Sequence, residues 1–220
     1  METNFATSVG ALFGKIDLST FKFNSHSGLP VLGFFLAVLC LSACHQKQTP
    51  KPRGYYRISF PPKNYVALNQ PLPYNFLIPV YAIVVPDLYN PAEKEWITIE
   101  IPSNNAQIHI SYKRIDHNLA TLIEESRTLV FDHVQKASAI DEQIFINPRK
   151  KIYGTLYTLK GNAASQMQFY LTDSVKNFLR GALYINEVPN YDSLRPVISF
   201  LSEDVLKIIE TTEWRENHGR

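Results

Sequence analysis

Thiols are almost absent from this chain of 220 residues. The two cysteines, Cys40 and Cys44, lie close together near its beginning, and nothing after residue 44 carries one. Disulfides, thiolate zinc sites and cysteine nucleophiles are therefore excluded from the remainder. Glycine is sparse as well. Beyond Cys44 only Gly54, Gly154, Gly161, Gly181 and Gly219 occur, each isolated. A P-loop or a dinucleotide fingerprint needs clustered glycines so that backbone N–H groups can approach phosphate, and neither fits. H-E-x-x-H and G-x-S-x-G are missing too. Charge of one sign is scarce: 22 basic and 20 acidic residues leave a net charge of +2. No electrostatic footprint for nucleic acid follows from that. The hydrophobic share of 45% is that of an ordinary folded protein, not of a disordered one. The length suits one domain plus a leader.

What the chain does have begins with an apolar run. From Leu29 to Leu41 there is no charge and no strongly polar side chain. Such a run is short of the roughly 20 apolar residues that a spanning helix needs. It fits the core of a secretory signal peptide, with Lys15 and Lys22 as the positive flank. The run ends in Leu41-Ser42-Ala43-Cys44, which resembles the bacterial lipobox. Small residues there let a peptidase reach the backbone. The thiol of Cys44 would take a diacylglyceryl group, and its freed amine would then be acylated, with palmitate as a typical chain. Several chains on one residue anchor stably where a single chain does not. Residues 1–43 are thus expected to be a cleaved signal peptide and Cys44 the lipid attachment site. The following "HQKQTPKPRG" is stiffened by Pro50 and Pro52. It reads as an extended tether over 44–53. No acidic run follows the cysteine, which favours a domain facing the periplasm, and no aspartate follows it directly, which favours an outer-membrane anchor.

The rest reads as one globular domain over 54–216. "GYYRISF" (54–60) alternates like a strand and stops at Pro61-Pro62. The apolar run 74–86 is interrupted by Pro79, which implies an edge, a bulge or a break. "EWITIEI" (95–101) and "AQIHISY" (106–112) flank "PSNN" as a hairpin with one buried face. Asn118 is placed to cap a helix running to about 138, with Leu122, Ser126, Leu129, Val130 and Ala137 on its apolar stripe. "QIFIN" (143–147) suggests a short strand. Longer strands follow at 151–161, 164–172 and 177–186. A last helix starts near Asp192 or Ser193, tolerates Pro196 in its first turn, and carries Leu194, Val197, Ile198, Leu201, Val205, Ile208 and Ile209 as its stripe. This order implies an α+β domain, an antiparallel sheet covered by two amphipathic helices. The order also resembles the PsbP/Mog1-like domains, α/β/α sandwiches used mostly for binding.

Residues able to do chemistry are few and scattered. His109, His117 and His133 are the histidines of the domain's interior stretch. On one helix His117 and His133 would lie roughly 24 Å apart, so they cannot share a metal. Glu124 and Glu125 are neighbours that point about 100° apart on a helix and do not face each other. Asp141-Glu142 reads as a solvated pair. No catalytic, metal or cofactor site is expected. The dense aromatics of the first third, from Tyr55 to Tyr81, belong mostly to a core. Tyr55 and Tyr56, with Arg53, are the candidate partner surface, because tyrosine buries much area for little entropy.

Longer blocks carry a family resemblance. "PKPRGYYRISFP" (50–61), "YAIVVPD" (81–87), "EWITIEIP" (95–102), "NLATLIEESRTLVFDHVQKASAIDE" (118–142), "TDSVKNFLRGALY" (172–184) and "DSLRPVISFLSEDVLKIIETTEW" (192–214) resemble, in order, the gliding-motility lipoprotein GldD of the Bacteroidetes. The resemblance implies a non-enzymatic, lipid-anchored accessory of gliding and type IX secretion. It implies envelope partners such as GldJ and carries over Cys44 alone as a functional position. Two other readings stand beside it: an envelope hydrolase of glycan or peptidoglycan using Glu124, Glu125, Asp132 and His133, and a small-ligand carrier.

Overall fold

The computed structural model describes residues 58–132 and 137–215. Three short strands come first: β1 (Tyr65–Ala67), β2 (Tyr74–Asn75) and β3 (Leu77–Pro79). β4 (Ile83–Pro86), β5 (Ile97–Ile101) and β6 (Ala106–Arg114) lead into helix α1 (Leu119–Phe131). β7 (Ala137–Asn147), β8 (Ile152–Gly161), β9 (Ser165–Thr172) and β10 (Asn177–Ile185) are successive hairpin strands. Helix α2 (Tyr191–Thr211) and β11 (Glu213–Trp214) complete the order.

β4 to β10 form one seven-stranded sheet in the order β4-β5-β6-β10-β9-β8-β7. All of its pairings are antiparallel. After β6 the chain passes through α1 and reappears at the far edge as β7. Hairpins bring it back until β10 closes against β6, from Asn177 opposite Arg114 to Ile185 opposite Ala106. The result is the α+β class that the element order implied, an antiparallel sheet with two helices.

Side chains alternate across the pleat, so each strand has two faces. One face is almost wholly aliphatic. Ile97, Ile110, Gly181, Phe169 and Leu156 stand side by side across β5, β6, β10, β9 and β8. Val197, Leu201, Val205 and Ile208 of α2 join them in a single core cluster. Each such fully buried branched side chain is worth about 1.5–3 kcal/mol. Gly181 makes room in that row. A Cβ there would overlap ring atoms of Phe169, its cross-strand partner, so the phenyl ring occupies the space that the glycine leaves open. On the opposite face α1 buries Leu122, Ser126 and Val130. Val130 packs in a small second cluster with Tyr157, Leu159 and Ala163.

Several expectations need correction. Ile58–Phe60 is irregular, and 54–57 lie outside the described residues. Pro61 restricts the backbone of the preceding residue, and the Phe60 ring instead stacks on Phe200 with centroids 4.3 Å apart. The apolar run 74–86 divides into β2, β3 and β4, with Pro79 ending β3. The first helix ends at Phe131, not near 138. Ala137 instead pairs with Gly161, and the expected short strand at 143–147 is the second half of an 11-residue β7. The long β7–β8 ladder overrides helical spacing there. Leu129 is exposed, because the buried stripe runs 122, 126, 130. Asn118 makes no side-chain cap; its Oδ1 accepts from the Asp116 N–H at 2.9 Å. At α2 the cap is Asn190, whose side chain accepts from the Ser193 N–H. The helix therefore starts at Tyr191, and Pro196 falls in its second turn.

Replacing Gly181 by alanine is expected to destabilise the domain by about 1–3 kcal/mol through overpacking against Phe169. Urea unfolding measures this. An unchanged midpoint would mean that the phenyl ring moves aside without cost.

Candidate functional site

The most concentrated polar chemistry lies inside the main core. Helical spacing places Asp204 on the buried side of α2 between Leu201 and Val205, and it has no exposed surface. Its Oδ1 accepts from Lys63 Nζ at 2.7 Å and from the Tyr65 hydroxyl at 3.0 Å. Its Oδ2 accepts from the Tyr81 hydroxyl at 2.6 Å. The ammonium of Lys63 also donates to the Phe200 carbonyl at 2.6 Å and to the Tyr81 oxygen at 2.9 Å. It sits 3.4 Å from the centroid of the Phe200 ring. All three ammonium protons thus have acceptors, and both carboxylate oxygens have donors. This cluster fastens the entry segment of the domain and β1 to the last helix. A satisfied network of this kind is a structural clasp.

The opposite sheet face holds a cleft of about 390 Å³. Its floor comes from β6 and β10, through His109, Ser111, Phe178, Arg180, Ala182 and Tyr184. One wall is α1, with Leu122, Glu125, Ser126 and Leu129. Trp96 and the 87–90 loop form the other. That loop is held by Asp87, whose carboxylate accepts from the N–H groups of Tyr89 at 2.8 Å and Asn90 at 3.2 Å. Trp96 is fixed by its indole N–H donating to the Tyr112 carbonyl at 2.7 Å. His109 Nδ1 lies 3.0 Å from Thr98 Oγ1, and its ring meets Tyr184 edge-on at 5.4 Å. Burial pushes the His109 pKa below its ordinary value, with nearby Arg180 acting in the same direction and Asp87 against it. The imidazole is therefore neutral near pH 7.

Cys44, Arg53, Tyr55 and Tyr56 lie outside the described residues, as does His133. His117 occupies a left-handed turn before α1, with φ 54°. Glu124 is exposed, and Glu125 pairs with Lys113 at 3.3 Å. Asp132 caps the far end of α1, two turns or about 12 Å from Glu124. These carboxylates do not converge. Asp141 forms a surface pair with Lys160 at 2.6 Å. Tyr74 and Phe76 are core, as expected of the early aromatics, while Tyr65 and Tyr81 serve the clasp. Sequence reasoning missed Lys63, Asp204 and Arg180. Arg180 did carry a signal, as a lone charge in the apolar run "NFLRGALYI"; Asp204 follows Glu203 and is marked only by its place on the buried stripe of the helix.

Among the described residues no group of acidic, histidine or cysteine side chains could hold a metal, and no helix is long and apolar enough to cross a membrane. The molecule is an α+β domain with one closed face and one open, aromatic cleft. The chain belongs to the gliding motility lipoprotein GldD family, whose model matches residues 45–214. Membership makes it a gliding-associated lipoprotein, a class anchored to a membrane. No protein with a curated description matches it. Among solved structures it is similar to cyanobacterial PsbP (CyanoP) from Synechocystis sp. PCC 6803, at 12% identity and a TM-score of 0.44, over 70% of this chain and 95% of that one. An overlap that loose transfers nothing from the cyanobacterial protein.

Two outcomes follow from the clasp and its tyrosines. Asp204→Ala leaves the Lys63 ammonium without its counter-charge and is expected to cost about 3 kcal/mol or more in urea unfolding; a cost under about 1 kcal/mol, the value of a surface pair, would show that solvent already screens the pair. Burial, followed by the Asp204 carboxylate, raises the phenol pKa of Tyr65 and Tyr81. Burial likewise raises Tyr74, and it pushes Tyr112 up to about 12. Unfolded tyrosine ionises near pH 10 (roughly), so the folded state retains protons that the unfolded state loses. Stability from these groups is complete below that pH and falls as pH rises towards 12 and beyond. Unfolding midpoints across this alkaline range should drop steeply, and tyrosinate absorbance should lag in the folded protein. Full ionisation near pH 10 with the fold intact would contradict this.

Proposed function

We propose that the protein is a lipid-tethered docking module of the gliding and type IX secretion apparatus. In this reading residues 1–43 are removed, Cys44 carries the acyl chains, and 44–53 hold the domain off the outer membrane on its periplasmic side. The tether confines the domain to one leaflet, so that weak contacts with envelope partners, GldJ among them, become sufficient. Family membership supports the setting.

One observation supports docking in particular. Among the described residues β7 is the edge of the sheet, paired on one side only, with β8. It is 11 residues long and exposes Ile144 and Ile146, at 72% and 68%. Soluble proteins usually blunt an edge this long, because its free N–H and C=O groups recruit another strand. An extended segment of a partner can add to β7 through backbone hydrogen bonds, with the two isoleucines selecting its side chains.

The test is complementation of a deletion strain, scored together for colony spreading and secreted cargo. Cys44→Ala is expected to leave a folded, mislocalised protein that rescues neither output. Ile144→Asp with Ile146→Asp should leave stability within about 0.5 kcal/mol, as surface changes do, and abolish rescue. Full rescue by the unlipidated form would refute the tether; full rescue by the double aspartate variant would refute docking at β7.

A further inference from the structure

Arg180 stands in the middle of β10, on the face turned away from the main core. Burial lowers its pKa from the ordinary guanidinium value, and the adjacent Tyr184 phenol partly offsets this. Its Nη2 donates to Gln168 Oε1. Both partners are neutral. The ion pairs of the described residues are Lys63–Asp204, Lys113–Glu125, Lys150–Glu213 and Lys160–Asp141, and Arg180 is in none of them. A guanidinium carries five N–H donors in a rigid fork, more than a glutamine oxygen and a phenol absorb. Arg180 is half-buried on the floor of the cleft, with donors left to meet an acceptor there.

A second group points the same way. Gln168 is buried at 1% exposure, and its Nε2 has no hydrogen-bond partner. It lies directly across from Ala182, which lines the cleft. A charged donor with capacity to spare and an unpartnered amide donor thus stand beside one another on the same sheet face. The space in front of Arg180 is bounded by Trp96, Phe178, His109 and Tyr184. Its volume of about 390 Å³ falls in the range of small-ligand pockets.

We propose that this cleft binds a monocarboxylate with an aromatic or apolar body, the carboxylate being forked by Arg180. The planar guanidinium matches a carboxylate through two parallel N–H···O bonds. The aromatic walls receive the body of the ligand. A dianion such as a phosphate monoester is disfavoured by the two carboxylates that line the same cleft, Asp87 and Glu125. Lys113 pairs with Glu125, and Asp87 is committed to its own turn, so neither serves Arg180. The neutral His109 adds no positive charge for a second anionic group. The same carboxylate chemistry has two sources: a free small acid, or the C-terminus of a peptide ending in an aromatic or aliphatic residue. This site lies apart from the β7 edge and does not depend on the docking role.

The full chain in detergent is titrated calorimetrically with phenylpropionate and phenylpropionamide, and with acetyl-Ala-Ala-Phe as free acid and as amide. The chain has two tryptophans, so Trp214→Phe leaves Trp96 in the cleft wall as a fluorescent reporter. The acids are expected to bind at least about tenfold more tightly than the matching amides and to perturb Trp96, a difference of about 1.4 kcal/mol. Arg180→Lys keeps the charge, loses the fork, and is expected to lose most of that preference. Binding of phenylpropionate identifies a small acid as sufficient; binding of the peptide acid alone identifies a peptide terminus. Equal affinity for acids and amides, or no binding of either acid, overturns the proposal, and that comparison on the unaltered chain requires no variant to fold.

Discussion

The buried carboxylate of Asp204 ties together parts of the domain that are far apart in sequence. It receives Lys63, Tyr65 and Tyr81 on its two oxygens, and the same lysine reaches the Phe200 carbonyl and covers the Phe200 ring. Apolar burial is non-directional and would tolerate α2 sliding along the sheet. A buried ion pair does not tolerate it, because any shift leaves a charge desolvated and unpaired. The clasp therefore fixes the register of α2 against the segment that enters the domain. The first part of the described domain is thus held to its last helix by a buried ion pair.

The sheet itself is used unevenly. One face is filled by α2 and by a row of aliphatic side chains in which Gly181 yields space to Phe169. The other is only partly covered by α1, whose buried contacts are Leu122, Ser126 and Val130. The uncovered part keeps the cleft and, within it, a guanidinium that forms no ion pair among the described residues. At the far edge, among the described residues, β7 is paired on one side only and exposes two isoleucines. A domain built only for stability would have filled the cleft with apolar side chains and shortened that edge. Both irregularities lie away from the main core, where they cost little packing.

Much of this was legible in order but not in extent. Alternation marked the β5–β6 hairpin, with Ile97, Ile99 and Ile101 on the buried side. Helical spacing marked α2 to within a residue or two of its start. The same rule failed after Phe131, where "VQKASA" continues a helical pattern although Ala137 begins the longest strand of the sheet. Local spacing there was weaker than ten cross-strand pairings with β8. The described end of "GYYRISF", Ile58–Phe60, is irregular for the opposite reason: Phe60 has its aromatic partner on α2, far away in sequence.

By itself the sequence determined the class of the chain: a thiol-free stretch beyond Cys44, an antiparallel sheet with two helices, and blocks that belong to one lipoprotein family. These are properties of composition, period and linear order, each decided by a residue and its near neighbours. Only the tertiary structure decided which charges matter. Asp204 follows another acid in a mixed stretch and Arg180 stands alone in an apolar run, and neither context says what meets the charge. The fold gives Asp204 a lysine and two tyrosines, and gives Arg180 only a glutamine and a phenol. A charge is satisfied or not according to what long-range pairing brings within about 3 Å of it, and local sequence does not contain that distance.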